Sequence, residues 1–351
     1  MTDEAIQTAV LAGLANTPYA CTSATQLSGG TANFVYRGIL TQPLPDGTTC
    51  VVIKHTEDFV ASNRNFKISA ERCLIEESIL KSLNDFPVSI IDTKQGQVTV
   101  KTPRLYSFDP TTNTQVMEEL PDSLDLKSFF TTPGLAHSRE WPVSIGLALG
   151  NWLRSFHDWG DKAAQAGVKK EMATNVAMRD IKFTINYDNL VGTVARYPGL
   201  LESSRGVFEQ VRDMARADND QSNTPLFIID WELTHSGARA LDLGQMIAEL
   251  YELTHFKGKA GTAIIRGFTE GYANINDDMA FRTAIHVGTH LICWGTTVAG
   301  WGSEEQIEDL VRIGRDLVVK GWEKDRDWFV SGFWECLFRD REGNGSRVAS
   351  A

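Results

Sequence analysis

The sequence has few cysteines and no paired cysteine motif. Its five cysteines are odd in number and widely scattered along the chain: Cys21, Cys50, Cys73, Cys293 and Cys336. Neither a disulfide framework nor a zinc site fits this spacing, because both need several cysteines at short, regular intervals. We therefore expect reduced thiols and a cytoplasmic protein.

The sequence also lacks long apolar runs and basic clusters. No apolar run approaches the ~20 residues that a membrane-spanning helix needs, and residues 1–5 are acidic where a secretory signal would be basic. The formal net charge is -11, and nucleic-acid binding depends on clustered Lys and Arg. We expect neither a membrane nor a nucleic-acid partner. The acidic balance suits a cationic or neutral small ligand, although solubility alone also explains it.

The pattern of apolar residues divides the chain into two parts. With 351 residues, 42% hydrophobic and 23% charged, it is long enough for two lobes. In the first part, the apolar pattern predicts a helix over 3–16 and strands over 33–40 and 48–54 that are joined by a Pro- and Gly-rich turn. It then predicts a helix over 66–83 and strands over 103–108 and 115–120. This pattern indicates a small antiparallel sheet with one helix against it.

Helical periodicity dominates after residue 120. It covers 123–130, 143–159, 206–217 and most of 241–338, with one strand predicted at 226–232. The predicted fold class is α+β and bilobal, with a β-rich N-lobe over 1–118, a helical C-lobe over 119–343 and a flexible tail over 344–351. Ligands commonly bind in the cleft between two such lobes.

Two features of the N-lobe suggest a phosphate site. Gly29 and Gly30, followed by Thr31 and Asn33, precede a strand, and adjacent glycines let backbone N–H groups approach a phosphate. A plain hairpin turn explains the same glycines. Lys54 ends the apolar strand 51–53 and could neutralise phosphates, although exposed strand-end lysines are also common.

Acidic residues provide the other candidates. Glu71, Glu76 and Glu77 lie on the helix after Lys54, and Glu76 is next to its apolar stripe, where it could orient the lysine. Asp230 and Glu232 end a strand and point to the same side, so both could hold one Mg²⁺; capping of the next turn is the alternative. Asp242 is expected to cap the helix 245–253 or to brace a loop.

These motifs, in this order, resemble the aminoglycoside phosphotransferase and choline kinase-like superfamily, in particular its 5-methylthioribose kinase-like and fungal small-molecule kinase branch. The resemblance rests on residues 27–37, 51–54, 71–83, 116–120, 152–157 and 228–232. It implies a protein-kinase-like fold, with ATP between the lobes and Lys54 and Glu76 at its phosphates. It also implies adenine at the hinge formed by Glu118 and Leu120, Mg²⁺ on Asp230 and Glu232, and a small-molecule hydroxyl as phosphate acceptor.

One family motif has no counterpart. The family places a His-Gly-Asp, four residues and an Asn before the metal strand, the Asp as base and the Asn as metal ligand, but about twenty residues there are absent. Asp218 and Asn223 reproduce the Asp-to-Asn spacing and could act as substitute base and metal ligand; a polar turn is the alternative. Either the protein is genuinely altered, or the recorded sequence has lost a segment.

Clues to the acceptor lie near the C-terminus. His290 and Trp294 are four residues apart and could line the substrate region, where an indole can hold an ammonium or a flat ring. The expected acceptor is an amine or an aromatic alcohol. His286 shares the same helical face and is expected to be a buried structural residue. The alternative function is a catalytically inactive pseudokinase that serves as a nucleotide-responsive or structural binding module, with a possible protein partner.

Overall fold

The computed structural model describes residues 2–27, 31–93, 96–121, 123–132, 140–220, 234–235, 237–258, 260–297 and 302–339. The chain begins with helix α1, Asp3–Leu14, which Thr2 caps by accepting a hydrogen bond from the Ala5 N–H at 3.2 Å. Asp3 and Glu4 lie in its first turn, where negative charge is favourable. The buried residues of α1, Ile6, Val10 and Leu14, pack against residues of the sheet that follows.

An antiparallel sheet forms most of the N-terminal part. The elements in chain order are β1 Cys21–Gln26, β2 Phe34–Leu40, β3 Cys50–His55, β4 Phe59–Val60, β5 Asn63–Lys67, α2 Arg72–Leu83, β6 Ser89–Thr93, β7 Gly96–Val100, β8 Leu105–Asp109 and β9 Thr114–Glu118. Five strands pair in the order β1-β2-β3-β9-β8, while β4-β5 and β6-β7 are separate hairpins. The strands predicted around residues 33–54 and 103–120 are confirmed.

The helix predicted over 66–83 begins six residues later than expected, at Arg72. Phe66 lies in β5, which pairs with β4, and Ser69 and Ala70 form the turn between β5 and α2. The Ala70 N–H donates to the Asp58 carboxylate at 2.9 Å, and the Glu71 N–H donates to the Ser69 hydroxyl at 3.2 Å. These local side-chain acceptors compete with helix formation, which the apolar spacing alone does not reveal.

The central strand β3 presents different residues to the two faces of the sheet. Val51 and Ile53 are fully buried in the cluster that includes α1. Val52 and Lys54 alternate to the other face, where Val52 packs against the cluster that contains α2. The position of Lys54 in the strand therefore directs its side chain towards α2.

The described part of the chain after β9 is mainly helical, as the sequence predicts, and the strand predicted over 226–232 lies outside it. Its α-helices are α3 Leu126–Thr131, α4 Glu140–Gly160, α5 Ala166–Met172, α6 Val176–Phe183, α7 Asn189–Thr193, α8 Pro198–Leu201, α9 Arg205–Asp220, α10 Arg239–Lys257, α11 Gly261–Tyr272, α12 Asp277–Cys293, α13 Glu304–Trp322 and α14 Arg326–Val330. A π-helical turn, Thr184–Asp188, connects α6 and α7. The short helices between residues 166 and 201 were not predicted.

Helices α4 and α11 approach each other backbone to backbone. A Cβ on Gly146 or Gly150 of α4 would lie 2.1 Å from a carbonyl oxygen of α11, and one on Gly267 or Gly271 of α11 would lie 2.1 Å from a carbonyl oxygen of α4. Only glycine permits this distance. The close contact fixes α4, and with it the residues at its C-terminal end, against the core.

The predicted α+β fold class, with a small antiparallel sheet and a larger helical part, is confirmed. The domain boundary at residues 118/119 stays a prediction, and the tail lies outside the described residues. All five cysteines are free thiols. Within the parts of the chain that the structure describes, no helix has the length and hydrophobicity to cross a membrane.

Candidate nucleotide and acceptor site

Lys54 and Glu76 form a buried ion pair between β3 and α2. Their side chains are 6% and 4% exposed, and Lys54 Nζ lies 2.8 Å from Glu76 Oε1. Burial removes water that would otherwise weaken the attraction, so each group strongly constrains the other. Lys54 is therefore held in one orientation on the face of the sheet opposite α1, and its role in neutralising phosphates stays a prediction.

A buried arginine at the start of α2 organises the chain just after the glycine pair. The Arg72 guanidinium donates to the Asn33 side-chain oxygen at 2.8 Å and to the carbonyls of Ala32, Glu57 and Ser69 at 3.2, 2.9 and 2.9 Å. Asn33 also accepts from the Thr56 hydroxyl at 3.0 Å. These bonds tie the residues that follow the glycine pair to the helix that carries Glu76.

The predicted phosphate-loop residues therefore divide into two groups. Asn33 is buried, and its side-chain oxygen serves this internal network. Thr31 is exposed, and its carbonyl accepts from the Ser62 N–H at 3.0 Å. Gly29 and Gly30 lie outside the described residues, so their phosphate role stays a prediction.

The predicted hinge begins at Glu118, the last residue of β9. The Glu118 N–H donates to the Arg104 carbonyl at 2.8 Å, and the Glu118 carboxylate accepts from Lys101 and from the Arg104 N–H. The Leu120 carbonyl accepts from the Ser123 hydroxyl at 2.8 Å, and the Leu120 side chain is 43% exposed. Glu118 is thus fixed beside the sheet, while Leu120 presents an apolar side chain that an adenine could cover.

Asp242 does not cap a helix. Because α10 begins at Arg239, Asp242 lies inside its first turn and is buried. Neither of its carboxylate oxygens has a hydrogen-bond partner among the described residues, and Nε2 of His157 lies 3.5 Å from its Oδ2. The prediction that Asp242 caps the helix 245–253 is wrong, because the helix starts six residues earlier.

Burial disfavours charge on both members of this contact. It raises the pKa of Asp242 well above its usual range, against the attraction of Lys182, and it lowers the pKa of His157 well below its usual range. The His157 Nδ1 and the Tyr272 hydroxyl are 2.6 Å apart. Burial of a carboxyl group whose oxygens accept no hydrogen bond destabilises the folded state. The Asp242 oxygens are therefore available to accept hydrogen bonds at this end of α10.

His290 and Trp294 adjoin each other, as expected, but differ in exposure. Their rings stack with centroids 5.9 Å apart; His290 is buried, and Trp294 is 38% exposed. Burial, with a smaller contribution from Lys182, lowers the pKa of His290 to about 3. The Trp294 indole N–H donates to the Asn186 side chain at 3.1 Å. His290 is therefore a neutral packing residue, and Trp294 is the member with an accessible ring.

Three predicted metal ligands cannot be placed. Asn223, Asp230 and Glu232 lie outside the described residues, so their metal role stays a prediction. Asp218 lies in the last turn of α9, which extends to Asp220, and not in a polar turn after residue 217. Its proposed role as a substitute base also stays a prediction.

Sequence comparison identifies the class of protein. No protein-family model matches the chain. The chain is 32% identical to the phosphotransferase FrzJ of a Cladobotryum species, over 94% of this chain and 95% of that protein. It is 24% identical to a 4-hydroxytryptamine kinase of Psilocybe cyanescens, over 86% and 88% respectively. The chain therefore belongs to the phosphotransferase family that includes FrzJ.

Two solved structures are similar over most of the chain. One is a choline/ethanolamine kinase family protein from Mesorhizobium loti, at 14% identity and a TM-score of 0.47, covering 92% of this chain and 99% of that chain. The other is an ADP-bound aminoglycoside phosphotransferase, at 9% identity and a TM-score of 0.42, covering 90% and 99%. Likeness at this level places no individual residue.

The relatives also have more residues in the aligned region. The alignment with FrzJ extends over 370 residues, whereas this chain has only 351 in total. At least 19 residues of that relative therefore have no counterpart here, wherever they fall along the alignment.

Two structural features near the candidate site have no clear signal in the sequence. Arg72 was overlooked because a lone arginine at a helix start gives no sequence signal of burial. Lys182, Tyr187 and the π-helical turn were overlooked because the short helices around them were not predicted. An irregular turn between short helices has no clear periodicity, although such π-helical turns frequently mark functional sites.

Proposed function

We propose that this chain is an ATP- and Mg²⁺-dependent phosphotransferase that acts on the hydroxyl group of a small molecule in the cytoplasm, and that it is impaired by loss of the catalytic loop. The observation that carries the proposal is the buried ion pair of Lys54 and Glu76 in a member of this family. A fixed cation of this kind can bind the phosphates of a nucleotide. The name 4-hydroxytryptamine kinase borne by two relatives supports an amine or an aromatic alcohol as acceptor.

The candidate residues that the structure describes are compatible with bound ATP. Lys54 would bind the phosphates, Glu76 would orient Lys54, and Leu120 would cover the adenine. Asp230 and Glu232 would hold Mg²⁺, which neutralises the charge that develops on the transferred phosphoryl group. Positioning and charge neutralisation account for much of the rate in phosphoryl transfer, so weak activity is expected without the base.

A pseudokinase is the second candidate. Its support is the absence of a His-Gly-Asp motif from the sequence, together with the 19 or more residues that FrzJ has in addition. Such a protein would bind nucleotide without transferring phosphate and would act as a binding module for a partner protein. Both candidates predict nucleotide binding, so turnover separates them.

Thermal unfolding in the presence of ATP and Mg²⁺ tests the nucleotide site. A ligand at about 100 times its Kd stabilises the folded state by ~2.7 kcal/mol, so Tm should rise. The rise should vanish in Lys54→Met and in Asp230→Ala and persist in Lys81→Met, which changes an exposed lysine on α2. A folded protein with no shift would overturn the proposal, and a shift without ATP turnover would favour the pseudokinase.

A further inference from the structure

Arg72 is a buried cation in the first turn of α2, where its charge does not stabilise the helix. Glu71 is the N-cap residue of α2, so Arg72 is the first helical residue, and it is only 1% exposed. The N-terminal end of a helix disfavours positive charge, and burial of a guanidinium group removes its favourable hydration. The polar contacts of Arg72 therefore have to account for its position.

The two terminal nitrogens of this guanidinium group bind two different segments of the chain. Nη1 donates to the carbonyls of Glu57 and Ser69 at 2.9 Å each and to that of Ile68 at 3.3 Å, so it holds the chain that leads from β3 into α2. Nη2 donates to the Ala32 carbonyl at 3.2 Å and to the Asn33 side-chain oxygen at 2.8 Å. It therefore holds the segment just after the glycine pair. A rigid planar fork fixes the two segments relative to each other.

The same segment also accepts hydrogen bonds from the turn between β4 and β5. The Ala61 N–H donates to the Ala32 carbonyl at 3.2 Å, and the Ser62 N–H donates to the Thr31 carbonyl at 3.0 Å. The Ala32 carbonyl thus accepts from this turn and from Arg72 together. The Ala61 and Ser62 N–H groups therefore report how firmly the segment is held, because an N–H exchanges with solvent only when its hydrogen bond opens.

One face of α2 carries both Arg72 and Glu76. The two residues lie four positions apart on the helix, and both are buried. Glu76 binds Lys54 at 2.8 Å, and Arg72 binds Asn33 at 2.8 Å. These two partners lie near the same end of the sheet, because Lys54 on β3 pairs with Val35 on β2, two residues after Asn33. A single helix face thus fixes both the lysine and the segment after the glycine pair.

We propose that Arg72 is a positioning residue for the phosphates of the nucleotide. It fixes the segment after the glycine pair relative to α2, and thereby relative to Lys54, so that the glycine loop and the lysine bind one polyphosphate together. Arg72 acts through Ala32 and Asn33 and not by contact with the nucleotide. Groups that are already in position bind a ligand more tightly, because they need no ordering on binding. This proposal rests on the proposed function, because it assumes that the chain binds ATP.

The phosphates of the ligand provide the test, because an arginine with a merely structural role would affect adenosine and ADP equally. Calorimetric titration of the full chain with Mg²⁺ measures ADP binding, and competition against ADP measures adenosine binding. Arg72→Gln should weaken ADP binding by about tenfold, which corresponds to the loss of about one hydrogen bond. It should leave the affinity for adenosine unchanged. An equal loss for both ligands, or no loss for ADP, would overturn the proposal.

Two further variants separate positioning from charge and from general destabilisation. Arg72→Lys keeps the positive charge, but a compact ammonium group cannot bind both segments as the planar fork does, so it should lose ADP affinity as Arg72→Gln does. Full ADP affinity in Arg72→Lys would assign the effect to charge and overturn the proposal. Arg315→Gln on α13 is the control, because Arg315 also donates to a backbone carbonyl, that of Leu200 at 3.2 Å. It should keep the ADP affinity of the parent.

Hydrogen exchange measures the same segment without any nucleotide. In Arg72→Gln, the Ala61 and Ser62 N–H groups should exchange faster than in the parent, relative to the N–H groups of α12, because the carbonyls that accept from them are held less firmly. Unchanged exchange at both positions would overturn the proposal. If Arg72→Gln does not fold, Asn33→Ala takes its place in both measurements, because it removes the side-chain oxygen that Arg72 binds.

The parent protein separates failure of this inference from failure of the proposed function. The ATP- and Mg²⁺-dependent rise in Tm is measured on the parent alongside the titrations. If that rise is present and Arg72→Gln keeps its ADP affinity, only the positioning role fails. If the parent shows no rise and binds no ADP, the proposed function fails, and the positioning role fails with it.

Discussion

The nucleotide side and the acceptor side of this protein satisfy their buried charges differently. On the nucleotide side, Lys54 pairs with Glu76 at 2.8 Å, and the buried Arg72 donates to several carbonyls and to Asn33. On the acceptor side, neither the two oxygens of buried Asp242 nor Nε2 of His157 has a hydrogen-bond partner among the described residues. In the first network each charged side chain is held by an oppositely charged or polar group, whereas in the second no described residue donates to the Asp242 oxygens.

This difference has a physical explanation in the chain itself. The nucleotide network joins residues between 32 and 76, which fold as one lobe and provide their own partners. Asp242 lies beyond the position where the family places its catalytic loop, and FrzJ has at least 19 residues more than this chain in the aligned region. We infer that the loop would provide the donors that Asp242 lacks.

Restoring the loop should have the largest effect. Replacing residues 218–225 with a His-Gly-Asp loop of the kind that the family resemblance describes provides a positioned base, which typically contributes ~10²–10⁴-fold to a rate. We expect kcat/KM for ATP-dependent phosphorylation to rise by that factor. The same graft with its Asp changed to Ala is the control and should fold without the gain. A folded graft with no gain would favour the pseudokinase.

Breaking the Lys54–Glu76 pair should have the next largest effect. Lys54→Met leaves Glu76 buried without its lysine, and removal of one partner of a buried ion pair costs about 3–5 kcal/mol. The double variant Lys54→Met/Glu76→Leu should recover most of this stability in urea unfolding, because neither member of the pair is then left buried without the other. It should still fail to bind ATP. Nucleotide binding by the double variant would contradict the role of Lys54.

The residues of the nucleotide side are easier to predict from the sequence than those of the acceptor side, because they lie in long, regular elements. Lys54 is recognisable because an apolar strand ends at it, and Glu76 because it adjoins an apolar helical stripe. Lys182 and Tyr187 lie where short helices and a π-helical turn obscure any periodicity. The burial of Asp242 was missed because its helix begins at Arg239, earlier than the apolar pattern suggests.

Glu252 is a second buried acid of the helical lobe. It lies on α10, its Oε1 has no hydrogen-bond partner among the described residues, and a Cβ on Gly295 would lie 3.1 Å from that oxygen. Burial, reinforced by Glu249 and opposed by Lys127, raises the pKa of Glu252 to about 8. Its ionisation therefore opposes folding.

The pH dependence of the free energy of unfolding tests whether burial raises the pKa of Glu252. The stabilising contribution of protonated Glu252 is complete below its unfolded pKa of 4.5 and is lost as the pH rises through about 8. Glu252→Gln should abolish this loss and be more stable than the parent at pH 9 by on the order of 3 kcal/mol. Glu249→Gln, at an exposed position, is the control and should shift the transition only slightly. Unchanged pH dependence in Glu252→Gln would show that Glu252 ionises normally.

Two helix caps provide the smallest and most closely matched test, because one starts the first described helix after the sheet and the other lies within the helical lobe. Asp125 caps α3 and Asn276 caps α12, and each accepts a backbone N–H at 2.9 Å. Replacing either with Ala should cost about 1 kcal/mol at pH 7. The bonds from Ser128 lower the pKa of Asp125, so its contribution is present above its unfolded value of 3.8 and is lost as the pH falls through the lowered pKa. The cost of Asp125→Ala should therefore shrink in acid while that of Asn276→Ala stays constant, and a parallel decline of both would mean that the carboxylate charge contributes nothing.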